Sequence, residues 1–203
     1  MRGARGMPDS LAPEVVEPLL RGRFGRPYRY VEVMPSTQRA LRNDDPEGTV
    51  AVAEEQTEGR GRLGRSWHAA PRTSVLVSIV LEPPVPSLRL PELSLVAGEA
   101  VAAAIAAETS LTPTIKHPND VLVDGRKVGG ILAESSEGRV VLGIGVNVNQ
   151  TADELPAETQ TPATSLRLET GTPIDRARLL AAILLELERA YDAWLTADIG
   201  VSG

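Results

Sequence analysis

The sequence predicts an α+β fold: a largely antiparallel β-sheet flanked by helices. Three observations carry that expectation. Short β-branched and apolar runs recur through the first 150 positions, two dipeptides between such runs have tight-turn chemistry, and two long segments have helical composition and spacing.

Residues 1–27, rich in Pro and Arg, read as an N-terminal extension with one short helix in the apolar stretch Leu11–Leu20. YRYVEVM at 28–34 alternates as a half-buried strand should, and Ser36 follows as an N-cap candidate for a short helix to about Arg42. TVAVAEE at 49–55 reads as a second strand. SVLVSIVL at 74–81 is apolar enough for a sheet interior.

From Pro91 to Glu108 the Ala and Leu content predicts a buried helix, with Pro91 in its first turn. Asp124-Gly125, flanked by apolar segments, predicts a hairpin, because a type I′ turn needs positive φ at both central residues. Glu137-Gly138 repeats the pattern, so three antiparallel strands follow one another across 121–149. Residues 151–171 are polar and turn-like. Thr172-Pro173 then opens an amphipathic helix over about 173–197, with Ile174, Leu179, Ile183, Leu187 and Tyr191 along one stripe.

The 203 residues, 42% of them hydrophobic, suffice for one full core. A net charge of −6 repels nucleic acid and anionic membranes, so a phosphate ligand requires a local basic pocket. With no cysteine, disulfides, thiolate metal sites and a Cys nucleophile are excluded. His68 and His117 are far apart, which argues against a histidine zinc site. No apolar run approaches the ~20 residues of a membrane span, and the basic start lacks the apolar core of a signal peptide. A cytoplasmic location, with neither membrane nor DNA as partner, is the resulting expectation.

The loop Gly59-Arg-Gly-Arg-Leu-Gly-Arg65 spells G-x-G-x-x-G. A dinucleotide fingerprint requires a helix to begin within the motif, and SWHAAPRTS follows instead. Arg60, Arg62 and Arg65 between glycines fit an anion clamp. On the loop alone, a solvated basic segment neutralised by Glu54, Glu55 and Glu58 is an equal alternative.

The loop gains meaning from its company: Ser36-Thr37, EEQTEGRGRLGRSW at 54–67, KHPNDVLVDGRKVGGILAE at 116–134 and GIGVNVN at 143–149. In this order the set resembles the catalytic domain of biotin protein ligases of the type without a DNA-binding domain. The resemblance implies a mixed sheet related to class II aminoacyl-tRNA synthetases, with residues 28–203 as the catalytic domain. It implies activation of biotin by ATP and Mg²⁺ to biotinyl-5′-AMP, followed by transfer to a lysine of a biotin carboxyl carrier protein domain in acetyl-CoA carboxylase or a related carboxylase. A lipoate or octanoate ligase-like enzyme and a non-catalytic biotin- or adenylate-binding protein are the alternatives.

By position, the resemblance assigns Ser36, Thr37, Gln38, Gln56, Gly59, Arg60, Gly130 and Gly143 to biotin, with Lys127 beside its carboxylate and the adenylate phosphate. Arg60, Arg62, Arg65, Trp67, Asn119, Asp120, Lys127 and Asn147 fall to ATP and adenylate, and Asp120 to Mg²⁺. Lys127 and Arg62 carry the catalytic assignments. Outside the motifs, bland roles compete: an N-cap for Ser36, a core anchor for Trp67, strand bulges for Gly130 and Gly143, a turn cap for Asp120.

Three departures from the family pattern stand out. Gln38 replaces an Asn and His117 replaces a Trp that would border the adenylate. Only TADIGVSG follows the last helix, where the family continues into a small β-rich C-terminal domain. The expectation is a truncated chain or a natural short form whose missing surface a homodimer partner supplies.

Overall fold

The computed structural model describes residues 9–157 and 159–197, so the first eight residues of the expected extension and the last six of the chain lie outside it. Seven strands form one sheet: β1 (Tyr28–Met34), β2 (Val50–Gln56), β3 (Ser74–Leu81), β4 (Thr114–Lys116), β5 (Asp120–Val123), β6 (Arg126–Ser136) and β7 (Arg139–Asn147). Their order is β1-β2-β3-β7-β6-β5-β4. The β1–β2 pair is parallel and every other neighbouring pair antiparallel, which makes the sheet mixed. All eight residues of β3 are buried, as an apolar run between two neighbours requires.

Both expected hairpins form. Asp124 and Gly125 have φ of 48° and 76°, and Glu137 and Gly138 53° and 83°, the double positive φ of a type I′ turn. The short edge strand β4 and a five-residue helix, α4 (Leu166–Thr170), are too short to carry a periodic run of residues.

Helices α3 (Leu93–Glu108) and α5 (Arg176–Thr196) pack against each other and the sheet. Leu179, Ile183, Leu187 and Tyr191 are buried as the stripe predicts, each aliphatic burial worth about 1.5–3 kcal/mol, while Ile174 is half-buried and precedes the helix. Two helix starts differ from expectation. Pro91 lies in a 3₁₀ turn, Ser87–Glu92, and α5 begins at Arg176, where the Asp175 carboxylate accepts the Arg178 N–H at 3.0 Å. A capping carboxylate, rather than the upstream Pro, sets that boundary. Near the N-terminus, α1 (Pro13–Val16) and α2 (Thr37–Ala40) are single turns; α2 stops before Leu41, which is extended.

By length and composition alone, Ser87–Glu108 reaches the range of a membrane span, with mean hydropathy 1.5, contrary to the sequence expectation. Its apolar residues Leu93, Ala97, Ala100, Val101, Ala104 and Ile105 are spent in the core against α5 and the sheet.

The described part of the N-terminal segment is integral to that core: Leu11, Val16, Leu20 and Phe24 are buried in it. Arg176, fully buried, ties the segment down. Its guanidinium donates to Glu54 Oε2 at 2.7 Å, the Ser74 carbonyl at 3.0 Å and both Asp9 carboxylate oxygens at 2.9 Å. Glu54 Oε1 accepts the Leu11 N–H at 2.8 Å. Burial and the nearby Glu54 carboxylate push the Tyr28 hydroxyl above its usual range, keeping it a donor to the Leu11 carbonyl.

Candidate functional site

The sheet face bearing Gly143 and Gly145 carries a cleft of about 670 Å³. Alternation along β7 explains the face: Val140, Leu142, Ile144 and Val146 are buried, while Gly143 and Gly145 lie between them on the opposite side. Glycine is required there by close approach. A Cβ on Gly145 would stand 2.6 Å from the Trp67 ring, and one on Gly143 would stand 3.2 Å from Gln38 Cδ.

At one side of the cleft, α2, β2 and β3 build a set of polar groups. Gln56 Oε1 accepts from the Thr37 N–H at 2.7 Å and from Thr37 Oγ1 at 3.0 Å. Thr37 Oγ1 lies 2.7 Å from Ser78 Oγ. Because the threonine hydroxyl has one proton and gives it to Gln56, Ser78 is the donor to Thr37. The Gln56 amide is thereby oriented, its carboxamide NH₂ left for the cleft. Ser36 occupies the N-cap position of α2 without making a side-chain cap bond, and its buried hydroxyl lines the cleft.

Ser78 and Lys127 are on β3 and β6, two strand spacings or roughly 10 Å apart across the sheet, and Ser78 is level with Leu132, which sets Lys127 roughly 15 Å further along the strands, at the other end of the cleft. A β-bulge decides where Lys127 points. Val121 pairs with Gly129 but Leu122 pairs with Lys127, leaving Val128 as the extra residue. The inserted residue inverts the alternation, so Val128 enters the core and Lys127 joins Asp120 and Leu122 on the cleft face. Lys127 Nζ lies 2.6 Å from Asp120 Oδ1 and 5.6 Å from the centre of the Trp67 ring. The strand is held from its other side as well: Lys127 N–H donates to the Pro162 carbonyl at 2.7 Å, and Thr164 N–H to the Lys127 carbonyl at 2.9 Å.

Arg60, Arg62, Arg65, Lys116 and Lys127 line the cleft, with Asp120 the one carboxylate among the described residues that line it. This concentrates positive charge in a chain of net −6 and favours an anionic ligand. Arg62 reaches Asn119 Oδ1 at 3.4 Å, while Arg60 forms a two-point ion pair with Glu134, both contacts at 2.7 Å. Just beyond Arg62 the loop is strained and open: Leu63 has φ 58° and is 87% exposed. The Trp67 indole N–H is buried and has no partner among the described residues, a cost of about 1–3 kcal/mol that a ligand acceptor would relieve.

Nearly every sequence-derived site residue lines this one cleft. Gly59 stands apart: it is buried at the loop base, where its carbonyl accepts the Trp67 N–H at 2.9 Å. Asn147 lines the cleft with its amide engaged internally, donating to the Thr164 carbonyl at 3.1 Å and accepting from Gln150 Nε2 at 3.1 Å. Asn119 donates to the Ile131 carbonyl at 2.9 Å. His117 is exposed on the rim, and the bulge lies at Val128 rather than at Gly130 or Gly143. Ser78 escaped sequence reasoning because, within an apolar strand, one serine carries no signal of its facing. Thr161, which accepts from Lys116 Nζ at 2.7 Å, escaped because it sits in a turn-rich segment.

A family model described as the biotin/lipoate A/B protein ligase family matches residues 30–150. The chain is 41% identical over 182 residues to a bifunctional ligase/repressor BirA of Bacillus spizizenii, covering 85% of this chain and 56% of that protein. It is 38% identical over 208 residues to a biotin--[acetyl-CoA-carboxylase] ligase of Mycobacterium tuberculosis, covering 94% of this chain and 76% of that one. The structure of a biotin protein ligase from Aquifex aeolicus in complex with biotin and ATP matches with a TM-score of 0.75 and 35% identity, covering 82% of this chain and 71% of that one. Against the two Bacillus BirA relatives, the chain spans little more than half of their length, 56%. The mixed seven-stranded sheet with flanking helices is thus the fold of these ligases, and the chain belongs to the biotin/lipoate A/B protein ligase family.

Proposed function

We propose that the chain is an ATP-dependent biotin protein ligase acting in the cytoplasm. It activates biotin as biotinyl-5′-AMP and transfers the biotinyl group to a lysine of a biotin carboxyl carrier protein domain of acetyl-CoA carboxylase or a related carboxylase. One observation carries this reading: a single cleft joins the oriented Thr37–Gln56–Ser78 hydrogen-bonding set to the cationic Lys127. The first suits a urea and the second an acyl phosphate. Biotin's fused ring and five-carbon tail bridge the two.

In the first step a biotin carboxylate oxygen bonds to the α-phosphorus of ATP as the bond to the bridging oxygen breaks, and pyrophosphate leaves with the electron pair. Lys127 offsets the repulsion between carboxylate and phosphate and the charge gathering on the phosphoryl oxygens. Arg62 and the 59–65 loop close over the adenylate and exclude water, which would otherwise hydrolyse the mixed anhydride. In the second step the carrier lysine, as free amine, attacks the acyl carbon; AMP departs and the amine loses a proton.

Magnesium enters with ATP as part of the substrate. Asp120 would meet it, since Mg²⁺ keeps several waters, draws on phosphate oxygens and needs few protein ligands. Trp67, Asn119 and Asn147 frame the nucleotide in this reading, the two asparagines through the backbone they hold.

A lipoate or octanoate substrate fits the polar end poorly. An apolar tail there would leave the Gln56 amide unpaired, the kind of mismatch that polar sites reject by about 10⁴–10⁵-fold. The test is biotin-dependent pyrophosphate release from ATP, with lipoate and octanoate as competitors and a carrier domain as acceptor. Biotin is expected to drive release and label the carrier; preference for lipoate would overturn the reading.

A further inference from the structure

A second cavity, of about 190 Å³, adjoins the cleft between α2 and the β6–β7 hairpin. Gln38 and Arg60 line both spaces. The Gln38 side chain is buried, packs over Gly143, and donates from Nε2 to the carbonyls of Leu132 at 3.2 Å and Val141 at 3.4 Å. Its amide nitrogen is thus committed to the backbone of β6 and β7. The side chain stands as a wall, fixed at its tip. Beside it, Arg60 is held by its two-point pair with Glu134.

Resting on the biotin-ligase reading, we propose that Gln38 is a specificity-determining residue: the partition between the second cavity and the end of the pocket that holds the ureido ring. Thr37, its chain neighbour, belongs to the Thr37–Gln56–Ser78 set, so the partition borders the place assigned to that ring. Removing the wall joins the two spaces. A cavity of about 150 Å³ admits benzene, so the added volume accommodates a substituent of several carbons on a ureido nitrogen. Such a substituent leaves the ureido carbonyl, the second N–H and the reacting carboxylate intact. The discrimination comes from bulk, and the amide's hydrogen bonds serve to hold that bulk in place.

The test measures kcat/KM for biotin-dependent pyrophosphate release with biotin and with two analogues, each N-propylated at one ureido nitrogen. Wild type is expected to use biotin and reject both analogues. In Gln38→Ala the analogue-to-biotin ratio rises for at least one analogue by about tenfold or more, the scale of a steric mismatch in a close-fitting pocket. Gln38→Met, matched in bulk but without the amide, keeps the wild-type ratio, and Gln38→Asn moves it in the direction of Ala by a smaller factor. Should Gln38→Ala fail to fold, the Asn and Met pair carries the same contrast. A folded Ala or Asn variant with the wild-type ratio overturns the partition, as does a Met variant as permissive as Ala. Wild type that turns over no biotin removes the ligase reading itself, a result distinct from active wild type with an unmoved ratio.

Discussion

Lys127 Nζ lies 2.6 Å from the Asp120 carboxylate, and the one-residue bulge at Val128 puts them on the same face of the sheet. In regular register Lys127 would point into the core. The pair holds the cation in place at the cleft while leaving it partly exposed, as a group that must meet two anions requires.

Lys127→Ala is expected to reduce biotin adenylation by about 10²–10³-fold, the loss seen when one preorganised electrostatic contact to developing charge is removed. Single-turnover pyrophosphate release measures it. Lys127→Arg restores the charge without the point geometry and is expected to recover only part of the rate.

Thr37→Val keeps volume and deletes the hydroxyl that bridges Gln56 and Ser78. Biotin affinity should fall by about 1–3 kcal/mol, because Ser78 loses its acceptor and Gln56 one of the two bonds that orient it. Titration calorimetry with biotin alone reads this directly. An unchanged Kd would remove the set from the binding site.

Arg62→Ala leaves the sheet-borne groups untouched and loosens the loop, since Arg62 Nη1 reaches Asn119 across the cleft. Losing one charge-assisted bond of about 1.5 kcal/mol predicts roughly tenfold faster escape of the adenylate. The readout is biotinylation of amines on an unrelated bystander protein, which should rise in the variant.

Arg176→Met breaks a buried pair, leaving Glu54 at 1% exposure without its cation. Destabilisation of about 3–5 kcal/mol is expected in urea unfolding. Adding Glu54→Gln should recover part of that loss, because the uncompensated charge is gone while the Leu11 N–H keeps an acceptor.

Much of the fold was legible because its signals are local. The β-branched and aromatic run marked β1, although its burial does not alternate as expected, since Val31 and Val33 are exposed, and the Asp124-Gly125 and Glu137-Gly138 dipeptides marked both hairpins. What stayed hidden depends on tertiary geometry. The three residues of β4 make a strand only because β5 is beside them, and Arg176, a charged residue in the first turn of α5, is buried because Glu54 and Asp9 pair with it. The same division holds in the cleft. Motif order brought Ser36, Thr37, Gln56, Arg62, Trp67 and Lys127 into one list, and the cleft brings them together. Ser78, the bulge that aims Lys127, and the commitment of Gln38 to backbone carbonyls required three dimensions.

The most direct test of the central claim is to incubate the protein with biotin and Mg-ATP, remove free ligand, and identify the small molecule released on denaturation. Biotinyl-5′-AMP in near-stoichiometric amount, absent when Lys127 is replaced by Ala, is the predicted result. Folded wild-type protein that yields no adenylate at saturating biotin and ATP would contradict it.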